Sequence, residues 1–469
     1  MNSEYFQLLS RLYIFKFLIR SEESIMVWIP VTNTDEQEML KVIGVSSIDS
    51  FFEDIPPSLR LKSWNIPEGL SEIEAYQRLD SLSKKNRVDG ISFVGGGFYD
   101  HYIPAVVDYL SQRGEFSTAY TPYQPESAQG TLQAIYEYQT ALCRLTDMEV
   151  ANASLYDGGT ALFEAVMLAV RVTGRRKVRI IPGINPIYEQ MLYTHTANLD
   201  LELEYGKNPE DCACVIGATP DFFGNIHDFT DIARNCHEAK ALMIIHFYPI
   251  ALGLMKTPGE MGADIAVGEG QCLGLPLGFG GPYLGLFTTR KEYIRKMPGR
   301  ICAMTVDKQG KRGFVLTLQA REQHIRREKA MSNVCSNQAL CALRALIYLC
   351  EVGKKGLIEI AQDCYSKTEY LKKKLTEFVS VINSKPTFNE FVVRLPIPAE
   401  QVVQKIKQSG VFPGIPLKSL LEHCKQQIPS KDMDGNRYGD IGDLLIAVTE
   451  KRTQKELDLL VELIRANIS

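Results

Sequence analysis

No apolar run in this sequence reaches the roughly 18 residues that a membrane-spanning helix needs. The nearest approach, FQLLSRLYIFKFLIR, is broken by Arg11, Lys16 and Arg20. It follows Glu4 rather than a basic region, and no small-residue cleavage site comes after it, so it does not read as a leader. Residues 1–25 are expected to be a surface helix or an upstream extension, with Met26 as a candidate start. A large excess of charge is also lacking: the net charge of −4 argues against nucleic acid as a partner. Eleven cysteines include no paired CxxC with accompanying histidines, and Cys212-Ala-Cys214 is the nearest thing to a motif. No metal site is expected, and reduced thiols of a cytoplasmic protein are the default.

A further deficit is local. The stretch GEGQCLGLPLGFGGP, residues 268–282, holds six glycines in fifteen residues but no Lys, Ser, Thr, His or Asp. A phosphate-binding P-loop needs Lys followed by Ser or Thr after its last glycine. Here Gly268, Gly270 and Gly274 lead to Leu275 and Pro276. A dinucleotide fingerprint needs GxGxxG opening a helix; the spacing is GxGxxxG, and a proline follows. A tight connection packed against a neighbour explains these glycines equally well.

What is present points to a layered α/β protein. The chain has 469 residues, 45% hydrophobic and 23% charged, enough for two or three domains with sizeable cores. KVRIIPG, LELEYG, CACVIGATP, ALMIIHFYP, ADIAVGEG and YLGLFTT read as short apolar strands. TALFEAVMLAVRVTG, PIYEQMLYTHTANL and DFTDIARNCHEAKA carry helical spacing between them. That alternation predicts a largely parallel sheet with ligands bound beyond the carboxyl ends of its strands. REQHIRREKAMSNVCSNQALCALRALIYL reads as one long, partly buried helical stretch. FNEFVVRLP, AEQVVQKIKQSG, DLLIAVTE and TQKELDLLVELIRANI then build a smaller α+β unit. Residues 35–90 read as a polar helical arm.

Three polar stretches are candidate sites. GGGFYDHYIP and AYTPYQPESAQG gather Tyr99, Asp100, His101, Tyr102, Tyr120, Thr121, Tyr123, Gln124, Glu126 and Gln129 among glycines and prolines. They suit a binding loop or an interface whose tyrosines bury ring area. ANASLYDGGTA adds Asn152 and Ser154 to these candidates and sets Asp157, Gly158, Gly159 and Thr160 before an apolar helix. That is either an anion cradle or an ordinary N-cap. Arg321, His324, Arg326, Arg327 and Lys329 form a basic cluster, either a surface steering an acidic carrier protein or a solvated helix face paired with Glu322 and Glu328.

Taken together, GGGFYDHYIP, EFSTAYTPYQPESAQGTLQAIYEYQT, ANASLYDGGTALFEA, GEGQCLGLPLGFGGPYLGLF and FVLTLQAREQHIRREKAMSN resemble the glycine cleavage system P-protein family, in the alpha subunit of its two-chain bacterial form. The resemblance runs from about residue 26 to the C-terminus. It implies an aspartate-aminotransferase-like fold (PLP-dependent transferase fold type I), with a helical arm and loops over 26–140, a large domain over 141–330 and a smaller C-terminal domain over 331–469. It implies a part in glycine decarboxylation on pyridoxal phosphate (PLP), with release of CO₂ and transfer of the aminomethyl group to the lipoyl arm of H-protein. It also implies a PLP-bearing subunit 2 in an α₂β₂ assembly, and T- and L-proteins as pathway partners. In the catalytic half of such enzymes the equivalent glycine loop carries the lysine that holds PLP. Counting back from Pro276, Gln271 stands at that position, and Tyr248 stands where an aspartate would meet the pyridine nitrogen. No covalent coenzyme and no catalytic residue of its own are therefore expected on this chain; its loop residues would reach a partner's site. Lys256 is the alternative lysine if the chain is an autonomous PLP enzyme, and a purely structural scaffold is the remaining alternative.

Overall fold

The computed structural model describes residues 31–424 and 431–468, apart from 62, 64 and 68. The segment FQLLSRLYIFKFLIR lies outside them. The chain divides into two compact units, one ending at Asn86 and one beginning at Arg87.

The first unit contains α1 (Asn33–Ile43) and α2 (Glu72–Ser83). Thr32 and Ser71 close capping boxes with Asp35 and Glu74, satisfying the first free amides of each helix. The unit has almost no core. Leu40 is its one buried apolar side chain among the described residues, while Val42, Ile43, Phe51, Phe52, Tyr76 and Leu79 are exposed.

The second unit opens with β1 (Ile91–Ser92), α3 (Ala105–Ser111), α4 (Gln129–Thr146), β2 (Val150–Ala151) and α5 (Gly158–Thr173). The alternating region follows as β3 (Lys177–Ile180), α6 (Pro186–Thr196), β4 (Glu202–Tyr205), β5 (Cys212–Thr219), α7 (Thr230–Glu238), β6 (Leu242–Phe247), β7 (Ile265–Glu269) and β8 (Gly285–Thr289). These strands form a seven-stranded sheet in the order β2-β8-β7-β6-β5-β3-β4. It is parallel from β4 to β7; β8 runs antiparallel to β7, and the edge strand β2 antiparallel to β8. Both faces of the central strands β5, β6 and β7 are covered, so these are largely apolar and successive residues feed opposite cores, while β3 and the edge strand β4 carry charged residues. Ile244 packs with Val178, Ile216 and Leu162 of α5. Its neighbours Met243 and Ile245 pack with Leu142 of α4 and Leu346.

The hairpin β9 (Ile301–Val306) and β10 (Arg312–Thr317) leads into the basic segment. Here the structure departs from the expectation of one long helix. A four-residue helix, α8 (Gln323–Arg326), sits between 3₁₀ turns at Gln319–Arg321 and Arg327–Lys329. Regular helix begins only at α9 (Ala339–Leu375), which breaks at Gly353 with φ 57° and ψ −173°. Leu318 and Arg327 take left-handed backbone, φ 53° and 54°. Such conformations interrupt a helix whatever its apolar spacing.

The C-terminal region adds β11 (Ser380–Val381), β12 (Glu390–Arg394), α10 (Ala399–Ile406), β13 (Val411–Phe412), β14 (Ile415–Pro416), α11 (Leu417–His423), β15 (Asp443–Ala447) and α12 (Gln454–Asn467). Its sheet runs β11-β12-β15-β14, while β13 pairs with β1. Phe391 and Val393 of β12 pack against Val402 of α10, Leu460 of α12 and Leu371 of α9. No helix among the described residues is long and apolar enough to cross a membrane.

Candidate functional site

The carboxyl ends of β5, β6 and β7 converge where an open α/β sheet offers a ligand site. Ala218, His246, Phe247, Tyr248 and Glu269 line this place, together with Tyr99 and Tyr188. The cavity is small, about 40 Å³. Small-molecule sites begin at roughly 300 Å³.

The first half of the glycine loop, residues 268–275, is buried beside this cavity, while residues 276–280 are exposed. A Cβ at Gly268 would lie 2.6 Å from the Phe247 carbonyl oxygen, and Gly274 has φ 82°. Gln271 is 2% exposed and its amide is fully engaged. Its Oε1 accepts from the Tyr99 N–H at 2.9 Å. Its Nε2 donates to the carbonyls of Tyr99 at 3.1 Å and Leu275 at 2.9 Å. The amide thus ties the glycine loop to the GGGFYDHYIP segment, with both donor and acceptor used.

Glu269, two residues earlier, is the one charged residue of that loop. Its carboxylate accepts three backbone N–H groups: Gly158 at 2.9 Å, Gln271 at 3.0 Å and Leu284 at 3.0 Å. Gly158 opens α5, so an internal carboxylate sits on the helix terminus that would attract an anion. Burial pushes Glu269 up to about 8, and the three N–H donors oppose that shift. Asp157 caps the same helix, accepting the Thr160 N–H at 2.7 Å. Gly159 is pressed against Met191 and Tyr188, which leaves no room for a side chain. The Tyr188 hydroxyl and His246 Nε2 have no hydrogen-bond partner there, and burial lowers His246 to about 4, which keeps it neutral.

Tyr248 follows β6 and is buried against Tyr99, with ring centroids 4.7 Å apart. Its hydroxyl meets His101 Nε2. The other imidazole nitrogen, Nδ1, lies 2.6 Å from Glu450 Oε2. Glu450 Oε1 accepts the Tyr102 N–H at 2.7 Å. Burial raises the Glu450 carboxyl, but the His101 contact and the backbone N–H donors together outweigh it and the net shift is downward. The Tyr99 hydroxyl donates to Glu390 Oε2 at 2.8 Å, and Glu390 Oε1 accepts the Gly96 N–H at 2.7 Å. Asp100 meets Lys451 at 2.6 Å and Arg452 at 3.2 Å. Tyr99, Asp100, His101, Tyr248 and Gln271 are therefore one network, closed by Glu390 and Glu450. Tyr102 is the exposed member of its loop.

A second network gathers around Arg300. This buried guanidinium reaches the Tyr123 hydroxyl at 3.3 Å and Asn337 Oδ1 at 3.3 Å. Asn337 Nδ2 donates to the Ser154 hydroxyl at 3.0 Å. Asn152 Nδ2 donates to the Pro298 carbonyl at 3.1 Å. Arg300 Nε is 3.6 Å from Glu322, and the buried Thr121 Oγ1 has no partner. Gln129 clamps the Phe314 backbone with both ends of its amide. Gln124 and Glu126 are exposed. Lys256 lies on the surface, paired with Asp228 at 2.7 Å, and does not line the cavity.

Sequence reasoning did not single out Glu269, Glu390, Glu450 or Arg300. The available signal was an acid within or at the end of an apolar strand, as in AVGEG, NEFVVR and AVTE. Such an acid is buried by the strand and needs donors around it.

Comparison with known proteins gives this geometry a context. The family model for the glycine cleavage system P-protein matches residues 26–464. A protein of Maridesulfovibrio salexigens, named probable glycine dehydrogenase (decarboxylating) subunit 1, is 48% identical over 459 residues, covering 94% of this chain and all of that one. A crystal structure of glycine decarboxylase (P-protein) in inhibitor-bound form superposes with a TM-score of 0.84 at 38% identity, covering 94% of this chain and 99% of that one. A Thermus thermophilus aspartate aminotransferase shares the fold, with a TM-score of 0.52 at 14% identity over 81% of this chain and 99% of its own. The chain belongs to the glycine cleavage system P-protein family.

Proposed function

We propose that this chain is the coenzyme-free half of a two-chain glycine decarboxylase. In this reading a partner, subunit 2, carries PLP. The pair decarboxylates glycine, releases CO₂ and passes the aminomethyl group to the lipoyl arm of H-protein, with T- and L-proteins acting later in the same system. The relatives' designation as subunit 1 supports the existence of such a partner, and an α₂β₂ assembly in the cytoplasm completes the reading.

The observation that carries it is Gln271. PLP needs an amine to hold its aldehyde, an acid at its ring nitrogen, a cradle for its phosphate and room for its ring. Gln271 offers an amide whose lone pair is delocalised and whose polar atoms are already bonded. Tyr248 offers a phenol raised well above its usual pKa by burial, a poor counterpart for a protonated ring nitrogen. Glu269 fills the candidate cradle with the protein's own carboxyl group, and the cavity beside Tyr248 and Glu269 measures only about 40 Å³. These residues do not fit PLP, so no chemical step is assigned to it on this chain.

The contribution of this chain is then architectural and across the interface. The Gln271 and Glu390 links fix the loop bearing Tyr99, His101 and Tyr102. The Arg300 network fixes Tyr123, and Gln124 and Glu126 stay exposed beside it, placed to meet substrate or the lipoyl arm in subunit 2. The test is exchange of labelled CO₂ with glycine by subunit 2 plus lipoylated H-protein, with and without this chain. Full exchange by subunit 2 alone would defeat the reading. Exchange that depends on this chain, falls in Gln124→Ala and leaves assembly intact would support a share in the active site.

A further inference from the structure

Three basic residues of the 321–329 segment, Arg321, Arg326 and Lys329, share a cavity, by a route other than the expected helix face. Left-handed backbone at Leu318 and Arg327 folds the chain between them into tight turns. This curls Arg321, Arg326 and Lys329 around a cavity of about 360 Å³, which Arg295 closes from the short helix Lys291–Lys296. Leu318, Ala320 and Met331 complete the wall, and no carboxylate lines it.

The positive charges there lack counter-charges. Arg321 is half-buried and donates to the carbonyls of Leu318 at 3.1 Å, Gly299 at 3.0 Å and Met297. Carbonyl dipoles orient it without neutralising it. Burial lowers its pKa, and the nearby Glu322 opposes that. Glu322 makes its ion contacts elsewhere, with Arg300 at 3.6 Å and His324 at 3.7 Å. Arg326 Nε donates to the Ala320 carbonyl at 3.0 Å, which aims the guanidinium and leaves its terminal nitrogens free. Arg295, Lys329 and Glu328 enter no ion pair among the described residues. Four cations around one cavity repel one another, and backbone strain of this kind persists where the surroundings enforce it, often at binding sites.

We propose that this cavity binds a small dianionic ligand of the phosphate or phosphate-ester class. Arginine forks match the paired oxygens of a phosphate, and lysine adds a point charge. The volume lies at the lower end of the range for small-ligand sites, which begins at roughly 300 Å³. The proposal does not depend on the function assigned above.

The experiment is calorimetric titration of the full chain with inorganic phosphate at low salt. One site is expected, with a Kd of about 1 mM or tighter. Arg326→Gln/Lys329→Gln, at two exposed positions, is expected to weaken it about tenfold or more. Lys308→Gln/Lys311→Gln, in the β9–β10 turn, is the charge-matched control and should leave it unchanged. Absent binding, equal binding by wild type and Arg326→Gln/Lys329→Gln, or equal weakening by the control would overturn the proposal. So would a poly-glutamate peptide that binds the wild type and is not displaced by phosphate, because the cluster would then be a protein-docking face.

Discussion

At the residue scale, the account rests on hydrogen-bond valence. Gln271 both accepts and donates, and no lysine can do so. Gln271→Lys would bury an ammonium and leave the Tyr99 N–H without an acceptor. Each buried group left unpaired costs about 1–3 kcal/mol. A fall in unfolding free energy of about 2–4 kcal/mol is expected in denaturant titration, with no gain of PLP absorbance, since Glu269 still occupies the candidate phosphate cradle and Tyr248 still stands at the ring-nitrogen position. A Gln271→Lys protein that takes up PLP at wild-type stability would show that one substitution alone silenced the site. Glu390 supplies a pH test. Burial raises it to about 8 against an ordinary 4.5, so the folded state holds its proton more tightly than the unfolded chain. The stability this contributes is complete below 4.5 and is lost as pH rises through about 8. Glu390→Gln keeps the shape and lets the Tyr99 hydroxyl accept from the new amide. Its thermal midpoint should vary less than wild type between those values; parallel curves would count against a raised Glu390.

At the element scale, the strand and helix alternation from 177 to 289 was legible because both faces of the central strands are buried and these read as apolar runs. The candidate loops were legible as well, through glycine, proline and tyrosine. Their division into the Gln271 network and the Arg300 network was not, because Glu390, Glu450 and Arg300 lie far from those loops in sequence. The long helix expected from Arg321 failed for a related reason. Its apolar spacing is real, but left-handed residues at Leu318 and Arg327 need no glycine to mark them and so left no signal. Gly353 does mark its break, since φ 57° with ψ −173° is a region glycine alone occupies readily. Gly353→Ala is expected to cost about 1–3 kcal/mol, measured by thermal unfolding. An unchanged midpoint would mean that α9 straightens without penalty.

At the scale of the whole molecule, the first unit has helices with good caps and almost no core, while the second is built as a complete layered body. Apolar side chains such as Phe51, Tyr76 and Leu79 are exposed in the chain alone. If subunit 2 covers them, association buries this apolar surface. Burying each such side chain contributes about 1.5–3 kcal/mol. Phe51→Ser/Tyr76→Ser/Leu79→Ser should therefore keep the thermal midpoint of the isolated chain and weaken its association with subunit 2 more than tenfold, read by sedimentation. Unaltered association would place the interface elsewhere.

The central claim is that the coenzyme of this system is held by another chain. The direct measurement is the absorbance spectrum of the isolated, purified chain after incubation with PLP and removal of the excess, followed by borohydride reduction and peptide mapping. The account predicts no retained band and no modified lysine. A stable band that borohydride abolishes, with the label fixed on a lysine of this chain, would contradict it.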